Sequence, residues 1–255
     1  MAGKTSYIEL PDGSFLPILY EDRSVIAIDK PPAWMLVPFS WQNTSRNLQA
    51  AITSSIAAGD FWARSRNVRQ LQHVHRLDAE TTGVLLFAKS KGALDTYSDL
   101  FEAREVGKVY LAAVEGVPSR QEWVSHLPLQ PHPTDHGRMR VEHELGKPCE
   151  TNFRVLASLT PPGKPPTTLI EARPVTGRTH QIRLHLAESG YPVIGDTMYG
   201  SGRHTRSKAF SERPLMALRS VYLTYRDPFT KRQIRIVAPW HEFFSKYGFE
   251  PIPDW

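Results

Sequence analysis

The sequence predicts an α+β fold with a mixed, largely antiparallel central sheet flanked by helices and loops. The main observation is that strand-like segments are often joined by short polar turns, which favours hairpins over a doubly wound parallel sheet. The composition fits a globular chain, because 40% of the 255 residues are apolar and 22% are charged. A chain of this length can bury a substantial core.

The first predicted elements are a hairpin and a helix. Apolar segments 16–20 and 25–29 flank the polar turn 21–24, and Pro31-Pro32 ends the second segment. Residues 47–58 have helical composition and stop before Gly59. Only about fifteen residues precede the first predicted strand.

The middle of the chain predicts a strand, a helix and a second strand. Residues 83–88 are a short apolar run between polar residues, which is typical of a buried strand. Ser90 can cap the helix that follows, and Gly107 is expected to end it. The side chains at helical spacing in this segment belong to Leu94, Tyr97, Phe101 and Arg104. Residues 108–114 form the second strand-like run.

The second half of the chain begins with a long irregular segment. Residues 118–146 are expected to be rich in loops, because they contain four prolines. The other predicted elements are a strand at 167–173, a turn at 174–177, a helix at 180–188 closed by Gly190, and a hairpin of 221–226 and 233–237 around Asp227-Pro228.

Missing motifs disfavour several kinds of chemistry. The single cysteine, Cys149, excludes an internal disulfide and a cysteine-rich zinc site. His73 and His75 have no HExxH context, and His180 and His185 are five residues apart, so they would point in different directions on a helix. No GxGxxG, Walker or GxSxG pattern occurs. We therefore expect no metal and no cofactor.

The location and partners are predicted from charge and apolar patterning. No apolar stretch approaches the ~18 residues of a membrane helix, and the N-terminus lacks the apolar core of a signal peptide. A monomer in the cytoplasm, without membrane or DNA partners, is the expectation. The formal charge of +5 is compatible with a polyanionic partner without proving one.

The segment HRLDAETTG, residues 75–83, places Asp78 two residues after Arg76 and just before a predicted buried strand. Asp78 can be a turn residue with Arg76 as its surface partner, or a nucleophile or general base. A second basic segment, 174–185, favours a functional carboxylate: it places Arg178 in a turn and Arg183 in the first turns of a helix. An adjacent arginine would lower the pKa of Asp78 and keep it ionised.

These segments together resemble the RluA family of pseudouridine synthases. HRLDAETTG resembles the family's HRLDxxTSG, and 174–200, PVTGRTHQIRLHLAESGYPVIGDTMYG, resembles its longest motif almost throughout. KVY with the downstream VEG, GKPCET and ILYEDRSVIAIDKPP resemble three others, so the similarity covers about residues 16–240. One departure is Leu218-Arg219-Ser220, where the family usually has LHA.

The resemblance implies a pseudouridine-synthase-like fold with an active-site cleft across the sheet. It implies a catalytic domain at 16–240, after an N-terminal extension at 1–15 that leaves no room for an S4 domain. The aromatic tail at 241–255 is expected to pack on that domain.

The resemblance also implies roles for individual residues. Asp78 would attack the target uridine, and Arg183 would pair with Asp78 and keep it charged. Tyr110, the third catalytic residue, would pack against the base and is a candidate for general acid or base work. Arg76 would enter the space left by the flipped nucleotide, and Leu218 would line the pocket. Arg178 and His180 belong to the same motif as Arg183 and are expected to contact RNA rather than to act as catalysts.

The expected partner is ribosomal or transfer RNA, which proteins hold chiefly through phosphates. Two basic segments are therefore further candidates for RNA binding. The first is the segment 201–213, and the second is the loop-rich segment 118–146. The candidate residues are Arg203, Arg206 and Lys208 in the first, and Arg138 and Arg140 in the second. The alternative for each is a solvated basic loop.

Overall fold

The computed structural model describes residues 4–36, 46–201 and 215–252. Tertiary contacts divide the chain into two compact units. Unit 1 comprises Met1–Gly107 and Tyr222–Ala238, and unit 2 comprises Lys108–Val221 and Pro239–Trp255.

The described residues form the following strands and helices. The strands are β1 (Tyr7–Glu9), β2 (Phe15–Glu21), β3 (Val25–Lys30), β4 (Gln72–His73), β5 (Thr82–Ala88), β6 (Gly107–Glu115), β7 (Glu122–Ser125), β8 (Leu129–Pro131), β9 (Met139–Val141), β10 (Thr151–Leu159), β11 (Thr167–Pro174), β12 (Leu218–Arg226) and β13 (Gln233–Val237). The helices are α1 (Leu48–Ala58), α2 (Phe61–Arg64), α3 (Lys91–Glu102), α4 (Gln181–Glu188) and α5 (His241–Ser245). The predicted α+β class with a mixed, largely antiparallel sheet is confirmed.

Unit 1 is built on antiparallel strands in the order β1-β2-β3-β5, and β4 also pairs with β5. β1 lies within the segment expected to precede the first strand, so that expectation was wrong; Ile8 is buried and pairs with Leu16. The core of unit 1 lies on β3 and β5, where Ala27 is paired with Leu86. Buried residues on α3, β12 and β13 complete this core: Ala93, Tyr97, Leu223, Tyr225 and Ile236.

The helices of unit 1 begin where their caps predict. The Asn47 side chain accepts a hydrogen bond from the Ala50 amide, and Gly59 ends α1 in the left-handed conformation. Ser90 caps α3 in the same way, by accepting from the Ala93 amide. The predicted end of α3 at Gly107 was wrong, because the helix ends at Glu102.

Gly107 has a packing role instead. It is the first residue of β6, and a Cβ atom built on it would lie 2.4 Å from Thr224 Oγ1. The glycine is needed for this close approach rather than for a helix stop. The left-handed residue after α3 is Arg104, with φ of 62°.

Unit 2 contains an antiparallel sheet in the order β6-β11-β10-β7. A separate hairpin, β8–β9, pairs Gln130 with Arg140. The expectation of an irregular segment at 118–146 was wrong in part, because it contains β7, β8 and β9. The prolines do not prevent this: Pro118 and Pro128 lie outside the strands, and Pro131 is the last residue of β8.

The C-terminal residues of unit 2 pack closely onto it. Phe244 and Phe249 are buried, and the Tyr247 hydroxyl donates to the Leu215 carbonyl at 2.6 Å. Arg219 is also buried: its Nε donates to the Pro239 carbonyl at 2.7 Å, and its guanidinium lies 5.4 Å from the centre of the Phe243 ring. Arg219 therefore binds the start of the C-terminal segment.

Candidate active site

Asp78 lies in unit 1, on the loop between β4 and β5. Its side chain is half-buried, and its backbone carbonyl accepts from the Thr81 amide at 3.2 Å. Leu77 on one side is buried, and on the other side the buried Thr81 precedes Thr82, the first residue of the fully buried strand β5. The carboxylate therefore stands at the point where an accessible loop enters the core.

A buried lysine holds this loop through its main chain. Lys30, the last residue of β3, has no exposed surface, and its ammonium group donates to the carbonyls of Pro31, Ala79 and Thr81 at 2.8–3.0 Å. Burial lowers the pKa of Lys30 to about 7, and the carboxylates of Asp78 and Glu80 oppose this shift. Two of its three acceptors, Ala79 and Thr81, follow Asp78 within three residues.

The histidines before Asp78 make structural contacts. His73 Nδ1 lies 2.9 Å from Gln49 Oε1, and His75 Nε2 accepts from the Leu86 amide while its ring stacks on Phe101. Across the residues that the structure describes, no group of three or more histidine, cysteine, aspartate or glutamate side chains is arranged to hold a metal ion. Arg76, between this pair and Asp78, is exposed.

Arg183 lies in α4 of unit 2 and is almost fully buried. Its Nε and Nη2 donate to the two carboxylate oxygens of Asp196 at 2.7 and 2.8 Å, which is a bidentate ion pair. Asp196 is buried as well; burial would raise its pKa, but the bonds from Arg183 and from the Met198 and Tyr199 amides hold it below the usual range. The guanidinium is therefore held in one position by its ion pair within unit 2.

The turn before α4 is ordered by Gln181. Its Oε1 accepts from Thr176 Oγ1 and from the Arg178 amide, and its Nε2 donates to the Glu150 carbonyl and to Thr151 Oγ1, all at 2.8–2.9 Å. The side chain of Arg178 is left exposed on this turn. The hydrogen bonds of Gln181 thus fix the backbone of the turn that carries the exposed Arg178 side chain.

Tyr199 joins this turn to the hairpin β8–β9. Its hydroxyl accepts from the Met139 amide at 2.8 Å and lies 2.9 Å from His180 Nδ1. The guanidinium centres of Arg138 and Arg183 lie 5.4 and 5.3 Å from the centre of its ring. Unit 2 therefore brings together three predicted site residues, Arg138, His180 and Arg183, around one tyrosine.

The other predicted residues of unit 2 lie in strands. Tyr110 is in β6, opposite Ala172 of β11, and only 8% of its surface is exposed. Leu218, the first residue of β12, is buried. Arg140 in β9 donates to Glu142 at 2.7 Å. The remaining candidates, Arg203, Arg206 and Lys208, lie outside the described residues.

Asp78 and Arg76 thus share a loop of unit 1, whereas Tyr110, Arg183 and Leu218 belong to unit 2. The pairing of Asp78 with Arg183 stays a prediction. The sequence reasoning missed Lys30, Asp196 and Tyr199, although all three stand inside the motifs quoted for the resemblance. A lysine at the end of a strand that begins with four apolar residues was the one available signal for Lys30.

His185, the second histidine of the helical pair, is a core residue. Its Nδ1 lies 3.0 Å from Thr151 Oγ1, its Nε2 lies 3.0 Å from the Leu127 carbonyl, and burial lowers its pKa. Cys149 beside it is buried, and burial raises the pKa of its thiol, so it is a poor nucleophile.

Comparisons with known proteins identify the family of the chain. Residues 25–188 match the family model described as RNA pseudouridylate synthase. The dual-specificity RNA pseudouridine synthase RluA of Salmonella typhi is 31% identical over 218 residues, which are 86% of this chain and 90% of that protein. The tRNA pseudouridine synthase C of the same organism is 33% identical over 261 residues, with 94% and 93% coverage.

Two solved human structures share the fold. RNA Pseudouridylate Synthase Domain Containing 1 has a TM-score of 0.66 and 26% identity, and it covers 88% of this chain and 83% of its own. RNA Pseudouridylate Synthase Domain Containing 4 has a TM-score of 0.68 with 22% identity and 89% and 90% coverage, a likeness of fold. In the described part of the chain, no helix is long and apolar enough to cross a membrane. With its family model, its relatives and its fold in agreement, the chain belongs to the RluA family of RNA pseudouridine synthases and is an isomerase.

Proposed function

We propose that the enzyme converts uridine to pseudouridine in structured RNA with Asp78 as its nucleophile. The observation that carries this assignment is how the Asp78 loop is held. The buried ammonium group of Lys30 donates hydrogen bonds to the carbonyls of Ala79 and Thr81. A turn residue at an exposed loop needs no such anchor, whereas a nucleophile must be held in a fixed position. Asp78 is thus accessible and rigidly supported.

The reaction exchanges one bond for another within the same nucleotide. The glycosidic bond from C1′ to N1 breaks, the base turns, and a new bond forms between C1′ and C5. The hydrogen on C5 leaves as a proton while N1 acquires one, so no oxidant and no ATP is consumed. Asp78 attacks the nucleotide, Arg183 keeps the carboxylate ionised, and Tyr110 packs against the base. These roles follow from the family resemblance.

The rigid support of Arg183 is consistent with its role. Asp196 fixes the guanidinium bidentately, so its position costs no further ordering when RNA binds. The three proposed catalytic residues fall within 16–240, which we propose as the catalytic region. No cofactor is part of this proposal.

RNA binding is proposed to use mainly basic side chains that are exposed or partly exposed. The target base must leave its stack, which costs a few kcal/mol, and Arg76 can offset part of that by occupying its place. The other proposed contacts are Arg178, His180, Leu218, Arg138 and Arg140, with Arg203, Arg206 and Lys208 proposed from sequence alone. The Arg138 guanidinium is 3.7 Å from Asp135, so it would exchange this surface partner for a phosphate.

The substrate is proposed to be ribosomal or transfer RNA. Relatives of similar identity are named for dual specificity and for tRNA, so both classes are tested together. A cytoplasmic location and a monomeric state also stay predictions.

The decisive experiment is tritium release from C5-tritiated uridine in bulk ribosomal and transfer RNA, with wild type beside Asp78→Asn. We expect release by wild type alone, and the RNA that responds identifies the substrate class. Asp78→Asn should retain RNA affinity within a small factor, because the lost group acts in the chemistry. Release by both proteins would exclude Asp78 as nucleophile, and loss of RNA binding with activity would make its role structural.

A further inference from the structure

Unit 1 carries a concave surface at the other end of β5 from Asp78. It is an open cleft of about 1250 Å³. Lys89 and Ser90, which directly follow β5, line it, and so do the turn between β2 and β3 and the turn between β12 and β13. Because β5 has seven residues, the cleft begins about 20 Å from the Asp78 loop.

The carboxylates around this cleft are satisfied by internal partners. Glu21 is bound by Lys89 and Arg66 at 2.9 Å and by Lys4 at 3.2 Å. Asp22 accepts from the amides of Ser24 and Val25 at 2.7 and 2.8 Å and from the Tyr20 hydroxyl at 3.0 Å. Glu21 is therefore paired with cations, and the oxygens of Asp22 are occupied by neutral donors.

Asp227, the third carboxylate, is buried in the turn between β12 and β13. It accepts from the Tyr97 hydroxyl at 2.5 Å and from the amides of Phe229 and Thr230 at 3.1 and 2.5 Å. The hydroxyl of Tyr97 comes from α3, so this bond attaches the turn to the helix. The turn is thus a rigid platform rather than a loose loop.

This platform displays positive charge. Arg226, Lys231, Arg232 and Arg235 fall within ten residues, all are exposed, and Asp227 is the only acidic residue among them. Arg226 and Lys231 bind backbone carbonyls, of Lys231 and Pro228 respectively, so they keep their net charge. The cleft itself is lined by five cationic side chains and three carboxylates. The cations are Lys4, Arg23, Arg66, Lys89 and Arg232, and the carboxylates are Glu21, Asp22 and Asp227.

An exposed aromatic side chain stands on the same turn. Phe229 has 56% of its surface exposed, beside Lys231 and Arg232 in the chain. Cations next to an accessible aromatic ring are the combination with which proteins bind RNA backbone and unpaired bases. The alternative partner is an acidic protein surface. Such a surface would complement the positive charge, but it offers no bases on which the Phe229 ring could stack.

We propose that this surface, formed by Arg23, Phe229, Lys231 and Arg232, is a second docking site for the substrate RNA. It binds the backbone of an RNA segment away from the target uridine, and Phe229 stacks on a base there. The inference rests on the proposed function for the identity of the RNA. It adds a contact outside the segments around Asp78 and Arg183, and three of its four residues, Phe229, Lys231 and Arg232, lie outside all the quoted family motifs.

The test compares two charge-matched triple variants. Arg23→Gln/Lys231→Gln/Arg232→Gln removes three cations from the surface. Arg104→Gln/Arg120→Gln/Lys164→Gln removes three exposed cations that line none of the clefts described, so both proteins fall from +5 to +2. Affinity for bulk transfer and ribosomal RNA is measured between low and moderate salt by filter binding.

We expect the surface variant to lose about 2–3 from the slope of log K against log salt, since each lost phosphate contact removes roughly 0.7–0.9. The control variant should change this slope by less than the roughly 0.7 that corresponds to one phosphate contact. Equal slopes for the two variants would overturn the proposal. If wild type releases no tritium but the slopes still differ, the proposed function fails while the surface stands.

Phe229 provides an independent measurement. A photoreactive benzoylphenylalanine at position 229 should cross-link to the bound RNA on illumination, and Phe229→Ala should lower affinity by 5-fold or more, because stacking on a base is worth about 1–3 kcal/mol. Absence of a cross-link to RNA, with unchanged affinity of Phe229→Ala, would remove the ring from the interface. A cross-link to a protein partner in its place would contradict the assignment to RNA.

Discussion

The loop of Asp78 in unit 1 and the helix of Arg183 in unit 2 hold their charged groups in different ways. Lys30 binds the backbone carbonyls of Ala79 and Thr81, which follow Asp78 in the loop, and so fixes the main chain there. Arg183 is fixed through its own side chain, by the carboxylate of Asp196. The Asp78 carboxylate is half-buried and accessible, whereas the Arg183 guanidinium is buried.

This difference suits the two proposed roles. A nucleophile must keep its carboxylate available for the substrate, so support through the backbone leaves the side chain able to react. A cation that only stabilises charge does not react, so its donors can be shared with a permanent partner. Substitution of Asp196 should therefore mainly reduce the stability of the protein, whereas substitution of Lys30 should mainly reduce its catalytic rate.

Asp196→Asn is expected to have the largest effect on stability. It leaves the Arg183 guanidinium buried beside a neutral amide, and breaking a buried ion pair costs about 3–5 kcal/mol. Chemical denaturation should show this loss, and tritium release should fall at temperatures where the variant is folded. Asp95→Asn, an exposed aspartate of α3, is the control. An Asp196→Asn protein as stable as the control would show that the pair contributes nothing.

Lys30→Met should cost about 2–3 kcal/mol, because three carbonyls lose their donor while the cost of burying an ammonium disappears. Its sharper effect should be on catalysis: kcat should fall while RNA affinity changes little, since only the Asp78 loop is loosened. Single-turnover kinetics beside Lys91→Met, an exposed lysine, measures this. Equal losses in kcat and affinity would contradict a local role.

Tyr199→Phe removes a hydroxyl that bonds the Met139 amide and contacts His180. We expect a loss of about 1–2 kcal/mol in stability and weaker RNA binding, because the hairpin of Arg138 is no longer attached to the turn before α4. Tyr191→Phe is the matched control in the same segment. If the two variants bind RNA equally, the hydroxyl does not position the hairpin.

Glu21→Gln should lower stability at neutral pH and remove the part of its pH dependence that lies below pH 4.5. Burial would raise the pKa of Glu21, but the bonds from Lys89 and Arg66 lower it from 4.5 to about 2. The folded state therefore releases this proton more readily than the unfolded state does. Its contribution is complete above pH 4.5 and is lost as pH falls towards 2. Denaturation of wild type should show this loss between pH 4.5 and 2, and a parallel course in Glu21→Gln would refute it.

Local sequence signals predicted much of the fold. The hairpin of β2 and β3, the helix α1 between Asn47 and Gly59, and the strand β5 were all predicted, because caps, turns and apolar runs act within a few residues. Arg104 instead takes the left-handed conformation after α3. The role of Gly107 could not be predicted from local sequence, because the side chain that approaches it, Thr224, is more than a hundred residues away.

The sequence by itself determined the fold class, the family and the segments that carry Asp78, Tyr110 and Arg183. These follow from residue order and local periodicity. Only the tertiary structure decided what supports them: Lys30 on the carbonyls beside Asp78, Asp196 on Arg183, and Tyr199 between a hairpin and a helix. It also decided that the carboxylates around the cleft of unit 1 are occupied. The physical reason is that burial and hydrogen bonding depend on which distant segments meet, and a linear pattern does not contain that information.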